Sequence, residues 1–226
     1  MLSPIIKQST NKICYMILPE GIKGELFDGL KEISEKHNIS IAVIEDVNWN
    51  DDLTPWPADG VFKKAKPFGG KATSFLNKLT YEIIPEIERD MGIAYAERTL
   101  LGVSLSGLFA VWAAFNTDAF ANIISISGSL WYDGFVEWMK EQTPSPQLKK
   151  VCMLLGEKEK NSKEKRVATV EERSLAAADI LKAKAKLPFR LNSSKGRISL
   201  QLCLGWSWRF IFEAALRQEM ELAQGR

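Results

Sequence analysis

Histidine is nearly absent from this chain: His37 is the only one in 226 residues. Any chemistry that needs an imidazole, as proton shuttle or metal ligand, therefore has a single candidate. Cysteine is scarce as well. Cys14, Cys152 and Cys203 are an odd number with no CxxC spacing, which excludes a disulfide-stapled scaffold, argues against a zinc site and fits a reducing compartment. No apolar run reaches the length of a membrane span. The opening MLSPIIKQSTNK lacks the apolar core of a secretory signal, so the expected location is cytoplasmic. Charge of one sign is also missing. Thirty Lys and Arg face 28 Asp and Glu, a formal +2, too balanced for nucleic acid to be the main partner.

What is present suits one globular domain. With 46% hydrophobic and 10% aromatic residues the chain can bury a sizeable core, and no repeat or linker interrupts it. Short aliphatic runs, 12–18, 39–45, 99–105, 122–128 and 151–156, alternate with amphipathic segments at 25–37, 74–92, 106–116, 133–142 and 169–186. That alternation predicts an α/β fold, a mainly parallel sheet with helices on both faces. The strand runs are apolar on both alternating faces, as expected where helices cover both sides. In the second helix Pro85 is expected to bend the segment or begin its last turns, and Gly92 to stop it.

Residues 46–73 fit neither period. They hold three prolines, three glycines and two tryptophans, which reads as a long structured loop of the kind that carries function.

The strongest local signal is Gly102-Val103-Ser104-Leu105-Ser106-Gly107, after an apolar strand and before an amphipathic helix. A nucleophile elbow needs that context: the turn is so tight that only small residues fit two positions either side of the serine. Ser106 stands where the motif usually has glycine. At the head of the helix Ser104 would present its hydroxyl, and the Leu105 N–H would point at a developing oxyanion. A plain strand-to-helix turn of small residues is the bland alternative.

The segment GVSLSGLFAVWAAFNTDAFANIISISGSLWYDGF resembles the putative-esterase branch of the α/β-hydrolases, which includes esterase D-like and siderophore (enterobactin-type) esterases. The resemblance extends back through DDLTPWPADGVFKK and forward through LLGEKEKNSKEKRVATVEE, about residues 10–192. It implies an α/β-hydrolase-like fold over 1–196, no cofactor or metal, and a small-molecule ester as partner. It also implies a serine nucleophile, an acid after a later strand and a histidine near the C-terminus. Ser104 matches the nucleophile. Glu157, directly after the strand 151–156, matches the acid, with Glu159 as the neighbouring alternative; the run EKEKNSKEKR reads equally well as a solvated loop. Residues 51–57 match the segment that supplies a second oxyanion donor and part of the substrate wall. Leu53 or Thr54 would offer the N–H and Trp56 an aromatic surface, since Pro55 and Pro57 cannot donate. Trp131 and Tyr132 are placed to line the same crevice, and aromatic packing is the alternative for all three rings.

The expected histidine is missing. His37 lies at the end of an early helix, on the side of the sheet opposite the elbow, where a solvated or helix-capping role suits it. After PFRLNSSKG (188–196) the family would place its histidine, yet the chain continues RISLQLCLGWSWRFIFEAALRQEMELAQGR, which does not align. Two accounts of this atypical tail, 197–226, compete: a diverged native ending packed as a helix, and a one-nucleotide frameshift near Gly196. In neither is the tail a separate domain. Lys158 and Lys195 are the nearby substitute bases, but an exposed loop does not depress a lysine pKa. The sequence thus leaves open an ester hydrolase acting through Ser104, a non-catalytic binding protein that keeps the pocket, and a damaged gene product.

Overall fold

The structure is a computed structural model that describes residues 5–18, 25–61, 64–94, 96–156, 159–185, 190–193 and 197–201. Its strands are β1 (Ile5–Ile6), β2 (Lys12–Ile17), β3 (Ser40–Ile44), β4 (Pro57–Ala58), β5 (Phe68–Gly69), β6 (Glu97–Val103), β7 (Asn122–Ile126), β8 (Lys150–Gly156), β9 (Arg190–Ser193) and β10 (Arg197–Gln201). Eight form one sheet in the order β1-β3-β2-β6-β7-β8-β10-β9. The middle five, β3 to β8, run parallel. β1 pairs antiparallel with β3, and β10 antiparallel with both β8 and β9.

Period-two alternation sorts each central strand between two apolar layers. Ile13, Tyr15 and Ile17 of β2 face one layer, while Cys14 and Met16 face the other with Met16's neighbour Leu18. Helix α1 (Glu25–His37) covers the second layer through Leu30 and Ile33. The first is covered by α3 (Ala72–Lys78), α4 (Ile84–Met91), α5 (Leu105–Ala113), α6 (Phe135–Glu141) and α8 (Val170–Ala185). The sheet is therefore a doubly covered α/β sheet, as strands apolar on both faces require.

Three boundaries differ from the sequence reading. β6 closes at Val103, so Ser104 is the bend itself and Leu105 already belongs to α5. The helix expected over 74–92 is two helices joined by a π turn, Leu79–Ile83. Pro85 explains the break: it lacks the N–H that the Tyr81 carbonyl would accept, and it sits in the first turn of α4, where that loss is harmless. Gly92 ends α4 in a left-handed conformation, φ 67°. Third, the loop 46–73 contains a one-turn helix, α2 (Trp49–Asp52), and the β4–β5 bridge. The strands β1 and β10 carried no sequence signal, β1 because it is two residues long and β10 because it falls in the unaligned tail.

No helix among the described residues is long and apolar enough to cross a membrane. Burial pushes the Cys14 thiol far above its usual range; Cys203 lies outside the described residues.

Candidate active site

The chain leaves β2 toward β3 on one side and enters β6 on the other, so the strand order reverses between β2 and β6. Crevices open at the carboxyl ends of strands at such a reversal. Ser104 stands at the end of β6, and the 46–73 loop follows β3 at the same edge.

The bend at Ser104 is conformationally costly. Its φ of 56° and ψ of −119° lie where a residue with a Cβ seldom sits, a strain of about 1–3 kcal/mol that the surroundings must over-determine. They do so. The Ser104 N–H donates to Ile126 O at 3.0 Å, and the Ser104 carbonyl accepts from Ser129 N–H and Leu108 N–H, each at 3.0 Å. A Cβ on Gly102 would lie 2.0 Å from the Ser106 carbonyl oxygen, so glycine is mandatory there. Ser106, in place of the usual glycine, is fully buried. Its hydroxyl accepts from Val103 N–H at 2.7 Å and lies 2.8 Å from the carbonyl oxygens of Val103 and Ile17, tying the bend to the end of β2.

Ser104 precedes α5 without spending its hydroxyl on a capping bond. Its Oγ lies 3.4 Å from Ser129 Oγ. Leu105 contributes the first N–H of α5, a donor that the helix itself cannot satisfy, at the positive end of the helix dipole. An oxygen anion formed at Ser104 meets a polar environment suited to negative charge.

The loop after β7 wraps this point. Ser127 adopts φ 47°, its N–H donates to Leu154 O at 2.7 Å, and its hydroxyl donates to Glu159 Oε1 at 2.7 Å. Glu159, the alternative acid, thus has its carboxylate tied to the loop that carries Ser129. Glu157 and Lys158 lie outside the described residues, as does Lys195.

Leu53 and Thr54 are completely buried. The Thr54 hydroxyl donates to Asn50 O at 2.7 Å and accepts from Gly70 N–H at 3.0 Å, so its side chain braces the loop. α2, which these residues follow, packs on α5. Trp56 is half-buried. Its indole N–H donates to Asp133 O at 3.0 Å, and its carbonyl accepts from the Tyr132 hydroxyl at 2.5 Å. Its ring lies 6.0 Å from those of Tyr132 and Trp138. Burial pushes the Tyr132 phenol up to about 12. Trp131 packs on Phe68 at 6.4 Å and under Arg166 at 5.9 Å. These aromatics therefore belong to one cluster that joins the loop after β3 to the loop after β7.

His37 ends α1 immediately before β3 and is exposed. Because β3, β2 and β6 are parallel, it stands at the amino edge of the sheet, opposite Ser104. The structure brings Ser104, Leu105 and the Trp56–Trp131 cluster to one edge, and it leaves His37 at the other. Sequence reasoning passed over Ser127, Ser129, Asp133 and Arg166: the serines look like ordinary turn residues, and Arg166 sits in a charge run that reads as solvated. Among the described residues no cluster of His, Cys, Asp and Glu is placed to hold a metal ion.

Comparison with known proteins gives a consistent picture. An uncharacterized protein of Bacillus subtilis, YbbA, is 33% identical over 124 residues, 54% of this chain and 50% of that protein; the chain spans about half the length of this curated relative. An IroE-like serine hydrolase from Shewanella oneidensis superposes with a TM-score of 0.63 at 20% identity, over 80% of this chain and 64% of that one. The siderophore hydrolase EstB from Aspergillus nidulans gives 0.58 at 18%, over 80% and 75%. The enterobactin hydrolase IroE, in complex with DFP, gives 0.53 at 23%, over 76% and 70%. These solved structures share the fold. The family described as putative esterase matches residues 20–191, well over half of the chain, and the chain belongs to that family.

Proposed function

We propose that this chain carries the nucleophile site of a carboxylic-ester hydrolase, with Ser104 as the attacking group. The observation that carries this reading is the strained bend, φ 56° and ψ −119°, at the carboxyl end of β6 and the head of α5. Ser104 Oγ attacks the ester carbonyl carbon while its proton passes to a base, and the Leu105 N–H holds the oxyanion with a second donor from Leu53 or Thr54. The carbonyl re-forms as the alkoxy C–O bond breaks, the alcohol takes up the proton, and water then releases the acid from Ser104. Glu157 is the proposed orienting acid; Glu159, held by Ser127, is the alternative. Trp56 and Trp131 form the wall.

Turnover is the weak point. The one histidine is at the wrong edge, and loss of the base in another serine hydrolase costs on the order of 10⁶ in kcat. With the base missing, acylation and deacylation both slow, and a nearly inactive enzyme is the expected behaviour. The same observation favours a second reading, a pocket that binds esters without cleaving them. The substrate to try first is a siderophore-type small ester, on the strength of the hydrolases named above. The balanced charge argues against nucleic acid, and three cysteines without CxxC spacing support a cytoplasmic setting. A p-nitrophenyl ester assay on wild type and Ser104→Ala separates the two readings: hydrolysis lost in the variant supports the enzyme, and identical background rates support the binding protein.

A further inference from the structure

Arg166 is a heavily engaged cation, although it lies in a run that reads as solvent-facing charge. It is on the one-turn helix α7 (Lys165–Ala168), and its side chain is 25% exposed. Nη1 donates to Asp133 Oδ2 at 2.7 Å. Nη2 donates to Asp59 O at 3.1 Å and to Gly60 O at 2.5 Å. Its plane covers Trp131 with the charge 5.9 Å from the ring centre. One side chain thereby joins three segments: the loop after β3, the loop after β7 and α7. Trp131 is two residues beyond Ser129, whose hydroxyl lies 3.4 Å from Ser104 Oγ.

The contacts divide the loops into parts that need Arg166 and parts that do not. Leu53 and Thr54 are fixed by burial, by the Thr54 hydroxyl and by Ala72 N–H donating to Thr54 O at 3.1 Å. Trp56 is held by Tyr132 and Asp133. The 59–60 segment and the face of Trp131 are pinned together by the guanidinium, whose planar fork meets two carbonyls, a carboxylate and a ring at once. An ammonium cannot reproduce that geometry.

We propose that Arg166 is a specificity-determining clamp: it holds the 59–60 segment and Trp131 as one preordered wall at the sheet edge that carries Ser104, so that esters large enough to reach the wall bind well while small ones are indifferent to it. The proposal rests on Ser104 as nucleophile, and its test has an arm that does not. A preordered wall spares a ligand the cost of ordering it, and losing that order weakens only contacts made with it.

The experiment compares wild type, Arg166→Lys and Arg166→Ala in the full chain. Labelling rates are measured with diisopropyl fluorophosphate and with a fluorophosphonate bearing a naphthyl group. Arg166→Ala is expected to slow the naphthyl reagent about tenfold and the small one less than twofold, with Arg166→Lys recovering only part of the loss. Equal slowing of both reagents, which a merely structural strut would give, overturns the clamp, and so does full recovery by lysine. If wild type takes up neither reagent even with free imidazole supplied, the nucleophile reading fails by itself. Calorimetric binding of 1-naphthyl acetate to Ser104→Ala with and without Arg166→Ala then decides the clamp: about tenfold weaker binding supports it, and unchanged binding refutes it.

Discussion

At the scale of single residues, the site depends on two small residues that do different work. Gly102 is required because any Cβ there would run into backbone, the Ser106 carbonyl 2.0 Å away, which cannot rotate aside. Gly102→Ala is expected to cost at least about 3 kcal/mol, seen as a lower urea midpoint; a loss under 1 kcal/mol would mean the bend is looser than described. Ser106 is a departure from the glycine pattern that pays its way through three polar contacts. Ser106→Ala should destabilise by about 1–3 kcal/mol, because Val103 N–H and Ile17 O lose a buried partner. Tyr132 gives a pH signature. Burial raises its folded pKa to about 12, above the usual 10 of an unfolded phenol, so the fold prefers the neutral form. Its contribution is full below about pH 10 and is lost as pH climbs toward 12. Wild type should lose more stability between pH 8 and 11.5 than Tyr132→Phe, in parallel denaturation curves; equal losses would contradict the burial argument.

At the scale of elements, α4, β2 and β6 are locked by one buried carboxylate. Glu88, 8% exposed, takes Arg98 through both oxygens at 2.6 and 2.7 Å and the Tyr15 hydroxyl at 2.9 Å. Removing one partner of such a group strands the others, and Glu88→Ala is expected to cost about 3–5 kcal/mol, measured by thermal unfolding; a change below 1 kcal/mol would show that water satisfies Arg98 and Tyr15. By contrast the Glu137–Arg173 pair between α6 and α8 is exposed. The hydrogen bond from Arg173 holds the Glu137 carboxyl below its usual pKa, so its small contribution is present above the carboxylate range and is lost on acidification. The parallel strands were legible in the sequence because burial on both faces writes continuous apolar runs. The break at Leu79–Ile83 was half legible: Pro85 marks it, but the apolar stripe of 74–92 continues through a π turn with little change of face. α2 and the β4–β5 bridge were illegible because one turn and two residues are too short to show a period.

At the scale of the molecule, the sheet reversal between β2 and β6 gathers the loops after β3, β6 and β7 at one edge. Ser104 was readable because a strand, small residues and a helix coincide there in sequence. The clamp at Arg166 was not, since its partners at 59–60, 131 and 133 are far away in the chain and meet only through the fold. The single histidine, His37, is exposed at the amino edge of the sheet, opposite Ser104. The most direct measurement is peptide mapping by mass spectrometry after prolonged exposure to a fluorophosphonate, with free imidazole supplied as an external base. One adduct on the peptide containing Ser104, absent from Ser104→Ala, is the predicted result. An adduct on another serine, or none at Ser104 with imidazole present, would contradict the account.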